Sequence, residues 1–109
     1  NVGGHNEKQN IEIINIIIDT LQEMLPADDP RRALVSKDLI TYVEDRKGHD
    51  RRYAIAPDKI KAEIGWYPET DFATGIKKTI AWFFEHEDWM KNVTSGDYQK
   101  YYDDMYANK

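Results

Sequence analysis

The chain has 109 residues, with 15 lysines and arginines against 20 aspartates and glutamates, so its net charge is −5. A chain of this length forms one domain with one core, and its negative charge excludes general attraction to nucleic acid or anionic membranes, so any phosphate must be bound locally. The absence of cysteine excludes disulfides, thiolate nucleophiles and cysteine-based zinc sites, and it is compatible with a reducing cytoplasm.

The start of the chain predicts a piece of a longer protein. No initiator methionine is present, and the first residues read as a strand that ends in a turn at Gly3 and Gly4. A processed or tagged terminus is the alternative. The longest apolar stretch, residues 11–25, is broken by charged and polar side chains and predicts neither a membrane span nor a signal-peptide core. We therefore expect a soluble, cytoplasmic protein.

The first predicted element is an amphipathic helix, because apolar residues recur at steps of three and four across residues 11–25. Asn10 precedes it as a candidate N-cap, and Asn6 followed by Gln9 is an alternative capping pair one turn earlier. Pro26 marks its end. A helix start also presents unpaired N–H groups to an anion, so Asn10 is a candidate for both capping and anion binding.

Two short strands are predicted next. Residues 39–43 are rich in β-branched and aromatic side chains, and residues 52–55 alternate polar with apolar. Further along, Pro57 is predicted in the first turn of a short helix over residues 58–64 that Gly65 caps, and Thr70 precedes a third helix whose apolar stripe runs from Phe72 to Phe84. The tyrosine-rich tail that follows is too polar for a core and too aromatic for a linker. Its tyrosines are predicted to pack, or alternatively to stack on a nucleobase.

A basic run at residues 45–53 joins the two predicted strands. Arg46, Arg51 and Arg52 offer planar forks that match phosphate oxygens, and Gly48 permits a close backbone approach. His49 lies between two aspartates that can orient or charge its ring. The run therefore predicts an anion-binding turn. The alternatives are a solvated face paired with carboxylates and a histidine that simply bonds a neighbour.

Signatures of catalysis are absent from the sequence. There is no glycine-rich dinucleotide fingerprint, Walker loop, nucleophile elbow or Tyr-x-x-x-Lys pair. His5, His49 and His86 are scattered and form no ligand pair at helical spacing. We therefore predict no catalytic, cofactor-binding or metal-binding residue in this chain.

Three motifs carry a resemblance to a known family. The Asp-Arg-x-Gly-His-Asp-x-Arg-Tyr run at residues 45–53 occurs widely in extended short-chain dehydrogenases that act on nucleotide sugars. The Gly-Gly-His-Asn-Glu opening at residues 3–7 and the Ser-Gly-x-Tyr-Gln segment at residues 95–99 narrow this to one group. The whole chain resembles the C-terminal part of the dTDP-glucose 4,6-dehydratases.

The resemblance implies an α/β enzyme in which a Rossmann domain holds NAD and the catalytic residues. Residues 1–109 are then the smaller C-terminal α+β lobe, mostly helical with two or three short strands, and they hold no cofactor themselves. The family converts dTDP-glucose to its 4-keto-6-deoxy form by oxidation, dehydration and reduction, and it supplies deoxysugar synthesis, commonly of rhamnose. The full-length relatives are expected to be homodimers.

Residue by residue, the resemblance implies that Asn10 and Arg46 contact the pyrophosphate, that His49 lies near the sugar or phosphate, and that Tyr106 lies against the base. Lys47 stands where relatives vary and receives no specific role. The implied substrate-binding residues are Asn10, Asp45, Arg46, Lys47, Gly48, His49 and Tyr106.

Two other readings remain open. In the first, the chain alone is a non-catalytic module with no ligand affinity, and an apolar docking surface drives its self-association. Alternatively it is the same lobe of another nucleotide-sugar enzyme, such as an epimerase or decarboxylase.

Overall fold

A computed structural model describes residues 1–106, apart from the side chains of residues 97 and 98, and all regular secondary structure in that range is helical. It forms two compact units, Asn1–Ile76 and a second unit that begins at Lys77. No helix in the described range is long and apolar enough to cross a membrane. In chain order the elements are α1 (Asn10–Met24), α2 (Pro30–Leu34), a 3₁₀ turn (Lys37–Leu39), α3 (Asp58–Ile64), α4 (Phe72–Glu85), α5 (Glu87–Val93) and α6 (Gly96–Tyr106).

Helix α1 is the predicted amphipathic helix, but its start differs from the prediction. Gln9 is the N-cap, and its backbone N–H donates a hydrogen bond to the Glu12 carboxylate at 2.6 Å. A glutamate at the third helical position is the acidic half of a capping box, and it also lies favourably in the dipole of the first turn. The prediction that Asn10 caps the helix is therefore wrong, and Asn10 is the first helical residue.

The apolar core of the described residues is thin. Ile18 and Leu25 are the buried large apolar side chains of the first unit, and Ile80 on α4 is that of the second. Thr20 is also buried, and its hydroxyl donates to the carbonyl of Ile16 at 2.7 Å, so burial leaves it hydrogen-bonded. With so few buried side chains, each one carries a large share of the stability.

The two predicted strands are wrong for the described residues. The first segment begins inside the 3₁₀ turn, and no backbone-to-backbone hydrogen bond is made by residues 41–56. Tyr42 and Val43 are each 84% exposed. Strand propensity measures packing on a pleated surface, so it forms no strand where no neighbouring strand lies alongside. The described part of the chain is thus helical rather than α+β.

The short helix α3 confirms its predicted bounds, because Asp58 is its first residue and Gly65 follows as its C-cap. Gly65 has φ 72°, a left-handed conformation that glycine adopts without strain. Helix α4 was also predicted, and it spans Phe72–Glu85. Helices α2, α5 and α6 were not predicted, although Asp29 before Pro30 is a recognisable start signal for α2.

Candidate functional site

A groove of about 1010 Å³ lies in the first unit between the start of α1 and the basic loop at residues 45–53. Its volume is at the upper end of the roughly 300–1,000 Å³ typical of small-molecule sites. The start of α1 and the stretch before it contribute Asn6, Glu7, Lys8, Gln9, Asn10 and Glu12, and the loop contributes Asp45, His49, Asp50, Arg51, Arg52 and Tyr53.

Both signs of charge line this groove. Lys8, Arg51 and Arg52 supply cations, and four carboxylates offset them. Because the net charge of the lining is not positive, general attraction does not concentrate anions there. An anion must instead be bound by directional hydrogen bonds from the guanidinium forks and from the first N–H groups of α1.

The arginines of the loop remain available for a ligand. Among the described residues, the side chains of Arg46, Arg51 and Arg52 make no hydrogen bond or ion pair with a carboxylate. This favours the anion-binding interpretation of the run over a face of internally paired charges.

The loop is shaped by a pair of side chains around Gly48. His49 Nδ1 lies 2.8 Å from Asp45 Oδ1, and the backbone N–H of Arg46 donates to the same oxygen at 2.8 Å. The hydrogen bond from His49 holds the pKa of Asp45 below its ordinary value, and the Arg46 N–H acts in the same direction. Gly48 has φ 73°, which lets the chain reverse between the two partners.

The residues implied as substrate-binding fall into three groups. Asn10, Asp45 and His49 line the groove. Arg46, Lys47 and Gly48 belong to the same loop but are not among the lining residues. Tyr106 ends α6 in the second unit, where its ring packs against Tyr102 with the centroids 4.7 Å apart. Its relation to the groove remains a prediction.

Lys8 and Tyr53 also line the groove, and sequence patterns did not identify them. The Lys8 ammonium lies 5.6 Å from the centroid of the Phe72 ring, a cation–π contact that holds it near the helix start. The available signal for Lys8 was only its place two residues before α1, and Tyr53 was read as part of a strand.

The comparison with known families concerns the same part of the chain. The family described as GDP-mannose 4,6 dehydratase matches residues 1–79, which include the whole groove. The chain belongs to this family. Its members are extended short-chain dehydrogenases of the Rossmann type, as the sequence motifs implied.

Individual relatives match all or most of the chain. The dTDP-glucose 4,6-dehydratase of Shigella flexneri is 46% identical over all 109 residues, which make up 29% of that protein. The dTDP-glucose 4,6-dehydratase 1 of Escherichia coli strain K12 is 44% identical over the same length, again 29% of the protein. The dTDP-glucose 4,6-dehydratase of Neisseria meningitidis serogroup B is 43% identical over 99 residues, which cover 91% of this chain and 28% of that protein. The chain thus spans less than a third of these relatives.

Proposed function

We propose that this chain is the nucleotide-sugar-binding part of a dTDP-glucose 4,6-dehydratase. The observation that carries the proposal is a sequence identity of 46% over the full length of the chain with a protein of that name. The unpaired arginines beside a groove of ligand size agree with it. The parent enzyme would convert dTDP-glucose to dTDP-4-keto-6-deoxyglucose, for deoxysugar synthesis such as that of rhamnose.

NAD in the parent enzyme would take hydride from C4 of the glucose and return it at C6 after water is lost across C5 and C6. The residues that hold NAD and catalyse these steps belong to the rest of the full-length protein. This chain contributes affinity for the parts of the substrate that do not react. Such binding energy fixes the sugar relative to the reacting groups, so loss of a remote phosphate contact lowers the rate as well as the affinity.

Arg46 and Asn10 are assigned to the pyrophosphate. Helix α1 has 15 residues, so its first turn carries the partial positive charge of a long helix, part of which the Glu12 carboxylate offsets, and Asn10 lies in that turn. Arg51 and Arg52 line the groove and offer further forks to the phosphates. His49 lies near the sugar or phosphate, and Tyr106 is assigned to the thymine.

The description of the matched family names another sugar nucleotide, so the base and sugar require a test. Binding of dTDP-glucose, UDP-glucose and GDP-mannose to the full-length protein should be compared by calorimetry. The proposal predicts the tightest binding for dTDP-glucose, together with turnover to the 4-keto-6-deoxy product. Preference for UDP-glucose or GDP-mannose would assign the same lobe to another nucleotide-sugar enzyme.

A second candidate function is self-association of the chain without ligand binding. Large apolar side chains are highly exposed in the first unit, including Tyr42, Val43, Leu34 and Ile64. Where such side chains form a contiguous patch, it normally marks an interaction site. Sedimentation of the 109-residue chain over a wide concentration range tests this candidate, and a strictly monomeric species would contradict it.

For the full-length protein we propose a cytoplasmic homodimer.

A further inference from the structure

The contact between Asp45 and His49 assigns a role to Asp45 beyond those implied by the family resemblance. Its Oδ1 atom accepts from His49 Nδ1 and from the Arg46 N–H, both at 2.8 Å. The backbone bond fixes the rotamer of the carboxylate, and the fixed carboxylate in turn fixes the plane of the imidazole. We propose that Asp45 is a positioning residue that presents His49 Nε2 to the ligand, an inference that rests on the proposed function.

The chemistry of the pair determines which ring nitrogen carries the proton. An ionised carboxylate only accepts hydrogen bonds, and its lowered pKa keeps Asp45 ionised at neutral pH. Nδ1 of His49 must therefore donate. In the neutral ring Nε2 is then left as an acceptor for a sugar hydroxyl, and in the protonated ring it is a donor for a phosphate oxygen.

The exposed fractions of the two side chains indicate that their contact orients the ring rather than stabilises the fold. The Asp45 side chain is 74% exposed and that of His49 is 29% exposed. An ion pair with one such exposed partner adds little to folding stability because water screens it and the side chains lose freedom on pairing. Its main consequence is therefore geometric, because the imidazole is held in one orientation within the groove that both residues line.

The tautomer of His49 can be measured directly by long-range ¹H–¹⁵N correlation spectra of the 109-residue chain at a pH where the ring is neutral. Only three histidines are present. His86 provides an internal reference, because its Nδ1 lies 2.8 Å from the carbonyl of Trp82, which also only accepts. We expect the Nδ1–H form at His49 and His86 in the wild type. In Asp45→Ala, His49 should shift toward the Nε2–H form while His86 does not change.

Three variants of the full-length protein, titrated with dTDP, complete the test. Asp45→Ala should weaken dTDP binding by roughly 5- to 30-fold, the effect of one lost orienting contact. Asp45→Asn keeps an acceptor and should recover part of the loss. Glu44→Ala removes a neighbouring carboxylate outside the groove lining and should leave the dTDP affinity within about twofold.

The outcomes distinguish this inference from the proposed function. A wild-type His49 in the Nε2–H form overturns the positioning role, whatever happens to binding and whether or not Asp45→Ala folds. Equal losses in Asp45→Ala and Glu44→Ala also overturn it, because they indicate a general effect of charge. If the tautomer is as expected but a fourth variant, His49→Ala, leaves dTDP binding unchanged, His49 does not reach the ligand and the positioning role is overturned. A wild-type protein that does not bind dTDP contradicts the proposed function instead.

Discussion

The side-chain amide of Gln22 donates a hydrogen bond to the backbone carbonyl of Val35 at 2.7 Å and so joins α1 to the segment after α2. The two residues are 13 positions apart, and the bond is partly buried. In a unit with so thin an apolar core, such a contact carries a measurable part of the stability.

Gln22→Ala should therefore lower the free energy of unfolding by about 1–2 kcal/mol, because it leaves a partly buried carbonyl without its donor. Gln99→Ala is the matched control. Its amide contacts Asp103 one turn away on the exposed face of α6, a pair worth about 0.2–0.5 kcal/mol. Urea unfolding measures the free energy of unfolding of both variants. Equal losses would show that the Gln22–Val35 bond is not a stabilising tie.

Ile18→Ala should cost about 2–5 kcal/mol, since Ile18 is only 6% exposed and its removal leaves a cavity. Ile64→Ala makes the same chemical change at a side chain that is 73% exposed, and it should cost less than about 0.5 kcal/mol. Denaturant midpoints of the two variants test the assignment of the core. If Ile64→Ala lowered the free energy of unfolding by more than about 0.5 kcal/mol, α3 would be covered in solution, as self-association would require.

Gly65→Ala and Gly96→Ala are expected to change stability in opposite directions. Gly65 caps α3 at φ 72°, where a side chain adds about 1–2 kcal/mol of strain. Gly96 is the first residue of α6, and a Cβ there would meet nothing within 4 Å. Alanine at Gly96 should stabilise by about 0.5–1 kcal/mol through the unfolded state. Thermal unfolding of both variants tests this, and the same sign at both positions would contradict it.

Acid should weaken the fold slightly through three aspartates whose contacts are open to solvent. The Arg31 side chain lowers the pKa of Asp29, His49 lowers that of Asp45, and the Thr74 N–H lowers that of Asp71. Each contribution is present above the ordinary carboxyl pKa of 3.8 and is lost as the pH falls through the lower folded value. Carboxyl-detected NMR titration should place all three folded pKa values below 3.8. Values at or above it would mean that these contacts are not formed.

Sequence patterns predicted α1, α3 and α4 because their signals are local. A 3.6-residue apolar period and a terminal glycine act within one or two turns of the helix. The strands at residues 39–43 and 52–55 failed for the opposite reason, since a strand requires a partner that no local pattern specifies. Helix α6 was missed because its tyrosines and carboxylates give no clear apolar face.

The candidate site was predictable where it is continuous in sequence. The arginines, Gly48 and His49 lie within one run, so their meeting needs no tertiary information. The approach of that run to the start of α1, with Lys8 beside it, is a property of the fold and came only from the structure. The link from Asn10 to the same loop rested on family resemblance until the groove placed both in its lining.

The measurement that tests the account most directly is calorimetric titration of dTDP into the full-length wild-type protein, Arg46→Ala and Arg32→Ala. Arg46 is assigned to the pyrophosphate, so its loss should weaken binding by about 1.5–3 kcal/mol, the range for a charged hydrogen bond. Arg32 is an exposed arginine of α2 that belongs neither to the basic loop at residues 45–53 nor to the groove lining, and its loss should leave the dTDP affinity unchanged. An Arg46→Ala protein that binds dTDP as tightly as the wild type would contradict the account.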